Sequence, residues 1–177
     1  MGPYGESLIV GDKMKKLFAL VAVGMLAAAC MPKMPDLPEV ATLPSMQLPV
    51  ADDENGWWQA DQYEGKPVFI VFMGSWCPWC KKTMPAVNAL NEKYAGQVEV
   101  VGVFMDKIPG PVRDAARGNG FTTKTLYNGK ELAEGLGVDG LPHAMLFDKK
   151  HRMVKMWEGY RPNMEEVVSV EIDKLLK

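Results

Sequence analysis

Val68-Phe69-Ile70-Val71-Phe72-Met73 leads through Gly74-Ser75 into Trp76-Cys77-Pro78-Trp79-Cys80. An apolar run of this length without alternation predicts a strand covered on both faces. From Pro78 to Tyr94, the residues Met84, Val87, Leu90 and Tyr94 fall at helical spacing. Pro78 suits the first helical turn, where its missing N–H has no partner to lose. The Cys-x-x-Cys pair therefore stands at a strand-to-helix junction. Unpaired N–H groups at a helix start favour a nearby negative charge, so Cys77 is stabilised as thiolate, the attacking species in thiol–disulfide exchange. Cys80, one turn inside, can form a disulfide with Cys77. Two other readings are a structural metal clip and a pair of buried cysteines. Structural zinc takes four ligands, usually two such pairs, and here only His143 and His151 could be added to one pair.

Working outward, Val98 to Met105 reads as a second buried strand, which makes a βαβ unit with a parallel pair. Asp106 to Gly137 is a crossover. It holds a helical stretch at Pro111–Arg117 stopped by Gly118-Asn119-Gly120, a short strand at Phe121–Leu126 and a short helix at Lys130–Leu136. Ala144–Phe147 and Met153–Trp157, joined by Asp148-Lys149-Lys150, predict an antiparallel hairpin. Asn163 with Glu166 is the pattern of an N-terminal cap, and Met164, Val168, Ile172 and Leu175 form one face of a last helix. Trp57 and Trp58 are expected in core or edge packing, and Pro85 as a helix kink. The order βαβ, crossover, ββα is that of an α/β thioredoxin fold, a central mixed sheet flanked by helices.

Residues from about Gly65 to Leu176 resemble the TlpA/ResA-type branch of bacterial thioredoxin-like proteins, exported and often membrane-tethered thiol–disulfide oxidoreductases. The resemblance is carried by Phe72 to Cys80, by Pro85, by Gly137-Val138-Asp139-Gly140-Leu141-Pro142 and by Leu146-Phe147-Asp148. It implies that Pro142 is a cis-proline facing the disulfide and that the Leu141 backbone pairs with an extended substrate segment. Trp76, Pro78 and Trp79, beside the sulfurs, are expected to contact the partner, because aromatic side chains dominate such patches. Two departures stand out. Thioredoxin keeps a buried acid where this chain has Val71, and ResA-like members often carry a glutamate where it has Thr83. With both carboxylates missing, Cys80 would exchange its proton through water, Thr83 or His143. His143 also replaces the family's more usual threonine after the proline.

The N-terminus reads as a targeting segment. Met14-Lys15-Lys16 is a basic start, and Leu17 to Ala29 is an apolar run too short to span a bilayer, as in a signal peptide. Residues 1–13 fit no part of that pattern, so Met14 is the expected initiator. Leu26-Ala27-Ala28-Ala29-Cys30 resembles a lipoprotein processing site, which implies lipidation of Cys30. Ala27 stands where a larger aliphatic residue is usual, and plain cleavage after Ala29 is the alternative. Pro32, Pro35, Pro38, Pro44 and Pro49 recur without apolar periodicity, as in an extended spacer. The expected organisation is leader 1–29, tether 30–55 and thioredoxin-like domain 56–177.

The chain has three cysteines, 47% hydrophobic and 24% charged residues, and a formal net charge of -2. Two cysteines lie in the motif and one ends the leader, so no stapled scaffold is implied. The charge leaves no basic footprint for nucleic acid. The expected function is an exported, lipid-anchored oxidoreductase facing the periplasm. It would reduce protein disulfides, recharged by a membrane electron donor and using no cofactor. Met31 carries no acidic retention signal, which favours the outer membrane. An oxidant or isomerase of the same fold is one rival. The other is a copper-binding or copper-delivering protein that uses Cys77, Cys80 and His143, or thioethers such as Met31, Met34 and Met46.

Overall fold

The computed structural model describes residues 41–177. The leader, Cys30 and the first part of the spacer lie outside the described residues. In chain order the elements are β1 (Gln47–Pro49), β2 (Trp57–Gln59), a 3-10 turn (Ala60–Tyr63), β3 (Val68–Met73), α1 (Pro78–Lys93), β4 (Glu99–Phe104), α2 (Pro109–Gly118), β5 (Lys124–Leu126), α3 (Lys130–Gly135), β6 (His143–Phe147), β7 (Met153–Glu158) and α4 (Met164–Leu175).

The main sheet has the order β5-β4-β3-β6-β7. β3, β4 and β5 run parallel, while β6 is antiparallel to both β3 and β7. Every residue of the central β3 is buried. Because side chains alternate across a strand, Phe69, Val71 and Met73 share one face with Ala144 and Leu146. Met84, Val87 and Leu90 of α1, Val112 and Ala116 of α2, and Met164, Val168 and Ile172 of α4 cover that face. Val68, Ile70 and Phe72 share the opposite face with Met145 and Phe147, beneath Leu132 and Ala133 of α3. Each such side chain contributes about 1.5–3 kcal/mol of burial, so a strand buried on both faces anchors both layers.

The domain begins well before the expected boundary at residue 56. Leu43, Leu48 and Ala51 are buried, and β1 pairs with β2. Leu43 and Leu48 lie in the α3-side layer with Trp58. Thr42 bridges Arg152 beside β7, whereas Val50 bridges Leu126 on β5. The upstream chain thus crosses the sheet from one edge to the other and covers both. A strap that crosses strands touches them with isolated residues, so it shows neither helical nor strand periodicity. Pro49 fits there because an edge position needs no donated ladder bond.

Two smaller expectations also change. Asn163 makes no side-chain bond to the start of α4, and Glu165 and Glu166 instead place negative charge in its first turn. The strand expected from Phe121 starts only at Lys124, because the amides of Thr122 and Thr123 donate to Asn88 Oδ1 at 3.0 and 3.3 Å instead of to a ladder. Trp58 is buried and Trp57 exposed, and Pro85 lies inside α1.

Candidate active site

Register brings the site together. Met73 pairs with Phe104 and Phe72 with His143, so the ends of β3 and β4 and the start of β6 share one edge. The Cys77 loop, Asp106, Leu141-Pro142 and the loop after β7 all emerge there.

Cys77 is the N-cap of α1, and its Sγ accepts the Cys80 N–H at 3.1 Å. One of the helix's free amide donors is therefore spent on the sulfur, the position where a thiolate gains most. Cys77 and Cys80 form a disulfide with Cα atoms 5.2 Å apart. Cys77 is 8% exposed and Cys80 fully buried, so an incoming group meets Cys77 first. Pro78 occupies the start of the helix, as its ring requires.

The loop before Cys77 is held by an acid that sequence reading missed. Asp106 is buried just past β4, and both of its oxygens are used. Ser75 N–H donates to Oδ2 at 3.0 Å and Ser75 Oγ–H to Oδ1 at 2.6 Å. The Cys77 amide donates to Gly74 O at 3.0 Å, closing the turn. Trp76 folds back over Gly74 so closely that a Cβ there would stand 2.8 Å from its indole.

Two aromatic flanks border the sulfurs. Trp76 is 61% exposed and, with Leu141, Met105, Ala133 and Val138, lines a cavity of about 330 Å³. On the other side Trp79, 52% exposed, stacks on Tyr160 with centroids 5.5 Å apart. The Leu141–Pro142 bond is cis, and Pro142 O accepts the N–H of Gly159 at 2.9 Å, which links this loop to the one carrying Tyr160. Gly159 adopts φ +71°, a conformation that glycine takes without strain.

The two expected proton relays are placed differently. Thr83 is buried and donates its hydroxyl hydrogen to Trp79 O at 3.0 Å, which leaves only lone pairs to offer. His143 opposes Phe72, so its ring lies on the α3 face, across the sheet from Cys80 among the α1-side residues. It is 2% exposed, and its Nε2 is buried without a partner among the described residues. Burial holds its pKa below the ordinary value, against the opposing pull of Glu158 and Asp139. Neither placement makes His143 a relay for Cys80. His143 opens β6 and His151 lies past its far end, in the turn before β7, and among the described residues no three His, Cys, Asp or Glu side chains gather as metal ligands. The signal for Asp106 and Tyr160 was topological: both follow strands whose ends meet the cysteine edge.

Residues 41–172 match the AhpC/TSA family. The thiol-disulfide oxidoreductase ResA of Bacillus thuringiensis subsp. konkukian is 30% identical over 112 residues, covering 62% of this chain and 65% of that protein. The match thus spans just under two thirds of that relative's length. The thiol:disulfide interchange protein HelX of Rhodobacter capsulatus is 28% identical over 135 residues, 75% of this chain and 74% of the relative. Among solved structures, the exposed lipoprotein thioredoxin of Streptococcus pneumoniae superposes with a TM-score of 0.65 at 20% identity, over 75% of this chain and 100% of that one. That likeness shows the fold.

Proposed function

We propose that this chain, which belongs to the AhpC/TSA family and to its TlpA/ResA-like thioredoxin-fold members, is an exported protein-disulfide reductase, anchored through a lipid on Cys30. The observation that carries the redox reading is the sulfur of Cys77, a residue 8% exposed, capped by the Cys80 amide, with Cys80 fully buried behind it.

In the reduced protein the Cys77 thiolate attacks one sulfur of a client disulfide. A mixed disulfide forms and the first client thiolate leaves. Cys80, as thiolate, then attacks Cys77 Sγ, the second client thiolate leaves, and the Cys77–Cys80 disulfide remains. Two electrons pass to the client, and the protons lost by the two cysteines balance those taken up by the client thiols. A membrane electron donor returns two electrons to the pair. The cysteines carry the electrons, so no organic cofactor enters. Trp76, Trp79 and Pro78 flank the approach, and the Leu141 backbone beside Pro142 is the strand edge offered to the client. The basic start, the apolar run to Ala29 and Cys30 support export and lipidation, hence an envelope location facing the periplasm, with Met31 favouring the outer membrane.

Equilibration of the pair with redox buffers tests the direction. A reductant sits near the thioredoxin end of the scale, about -270 mV, whereas a value near -120 mV marks an oxidant. Cys80→Ser is expected to trap mixed disulfides with clients, and Cys77→Ser to trap none. Detergent partitioning and mass spectrometry of the mature protein check the lipid.

A further inference from the structure

The rim around Cys77 is polarised in charge, and the polarity follows the two faces of the sheet. On the α1 side, the first turn of the helix contains no acidic residue and is followed at once by Lys81 and Lys82, both exposed. Cations are disfavoured at a helix N-terminus, so these lysines do not serve the helix. Lys82 Nζ stands 4.3 Å from the Trp79 ring centroid, over the ring that Tyr160 supports from its own loop. Arg161, the next residue, is exposed.

The α3 side carries the opposite sign. Glu134 and Asp139 line the cavity beside Trp76 and Leu141. Glu158 pairs in register with His143, and cross-strand partners share a face, so it belongs to this side as well. Lys130 is the cation among the residues that line this cavity, and it lies 3.5 Å from Glu134, which offsets it.

We propose that Trp79, Tyr160 and Lys82 form a docking shelf for the client, and that it selects a client segment carrying a carboxylate beside an apolar or aromatic side chain near the reactive cysteine. The inference rests on the disulfide-reductase reading and names its substrate class. The shelf is continuous with the redox centre, because Trp79 stands between Cys77 and Cys80. Its stacked rings offer a flat apolar face, and Lys81 and Lys82 offer charge to an incoming carboxylate. On the far side, Glu134, Asp139 and Glu158 repel acids, so a client with its acidic residue on one side of the cysteine is seated in one direction only.

The test uses the reduced full-length protein and two disulfide-linked peptides of equal length. In one the cysteine is flanked by Glu and Phe, in the other by Lys and Phe. A neutral disulfide, bis(2-hydroxyethyl) disulfide, reports the intrinsic reactivity of Cys77, and both peptide rates are divided by its rate. The acidic peptide is expected to react roughly fivefold faster at low ionic strength, the scale of an exposed charge pair. The advantage should shrink in salt, as screening requires. Lys81→Glu/Lys82→Glu is expected to reverse the preference, and Lys82→Gln to reduce it about twofold. Equal rates for the two peptides at low salt, or an acidic preference that survives the double reversal, would overturn the proposal. Failure to reduce even the neutral disulfide would instead overturn the reductase reading beneath it.

Discussion

Replacing Asp106 by alanine removes a buried carboxylate that accepts from Ser75 N at 3.0 Å and from Ser75 Oγ at 2.6 Å. A hydrogen bond to a charged acceptor contributes about 1.5–3 kcal/mol. Ser75 is only half-buried, so water recovers part of each bond, and the lower value applies to both. Asp106→Ala should therefore cost about 3 kcal/mol, half of it through the hydroxyl. For a domain of this size that is a fall in Tm of about 10 °C. Ser75→Ala alone should cost about 1.5 kcal/mol, and the double variant little more than Asp106→Ala, a coupling of about 1.5 kcal/mol. Denaturant unfolding of the four oxidised proteins measures the cycle. The same loop presents Cys77, so the exchange rate of Asp106→Ala should fall alongside its stability. A coupling indistinguishable from zero would refute the clamp, as would an Asp106→Ala protein within about 0.5 kcal/mol of the parent, the usual range of an unconstrained surface site.

Three further outcomes follow from the same geometry. In Cys80→Ser, thiolate absorbance against pH should show Cys77 titrating below the free value of about 8.5, and a midpoint at or above it would remove the helix-start explanation. The α1-side surroundings of Cys80 are apolar, so resolution of the mixed disulfide should speed up as pH rises in the parent and proceed faster near neutrality in Thr83→Glu; a pH-independent parental rate would refute this and point to a proton relay at Cys80. Burial pulls the Lys124 pKa down, but hydrogen bonds to Glu99 and Tyr63 and the Glu99 charge outweigh it and leave the ammonium above its ordinary value of 10.5. Its contribution to stability is thus complete below that pH and lost as pH rises through the folded pKa, so Glu99→Gln should flatten the alkaline limb of the stability profile.

Much of the scaffold was legible because burial on both faces writes itself as an unbroken apolar run. Val68–Met73 and Val98–Met105 read as strands for that reason, and they lie within a residue of the observed β3 and β4. The cysteine pair was legible because its chemistry needs a strand-to-helix junction. What escaped was whatever depends on register or on single long-range contacts. The sheet face occupied by His143 turns on one residue of pairing with Phe72, and a one-residue slip would reverse it. Asp106 carries no local signature, because its partner Ser75 is brought to it only by the parallel alignment of two strands. Tyr160 reaches Trp79 through a loop tied to Pro142, a contact between segments far apart in the chain.

The strap at the start of the domain also fixes where the chain joins the sheet. Ala41 O accepts the N–H of Met153, and Leu43 N–H donates to His151 O, so the chain joins the sheet beside the β6–β7 turn. Phe147, at that end of β6, pairs with Val68, whereas His143, at the other end, pairs with Phe72 near the cysteines. The point of attachment and the reactive sulfur are thus separated by the length of β3, about 20 Å at 3.3 Å per residue. The described chain therefore enters the sheet at the end opposite the one that carries Cys77. A pull from upstream meets the bonds of residues 41–43 first, then the bridge at Val50 on the opposite edge. Force applied at Ala41 would be absorbed at that end of the sheet before it could disturb the geometry around Cys77.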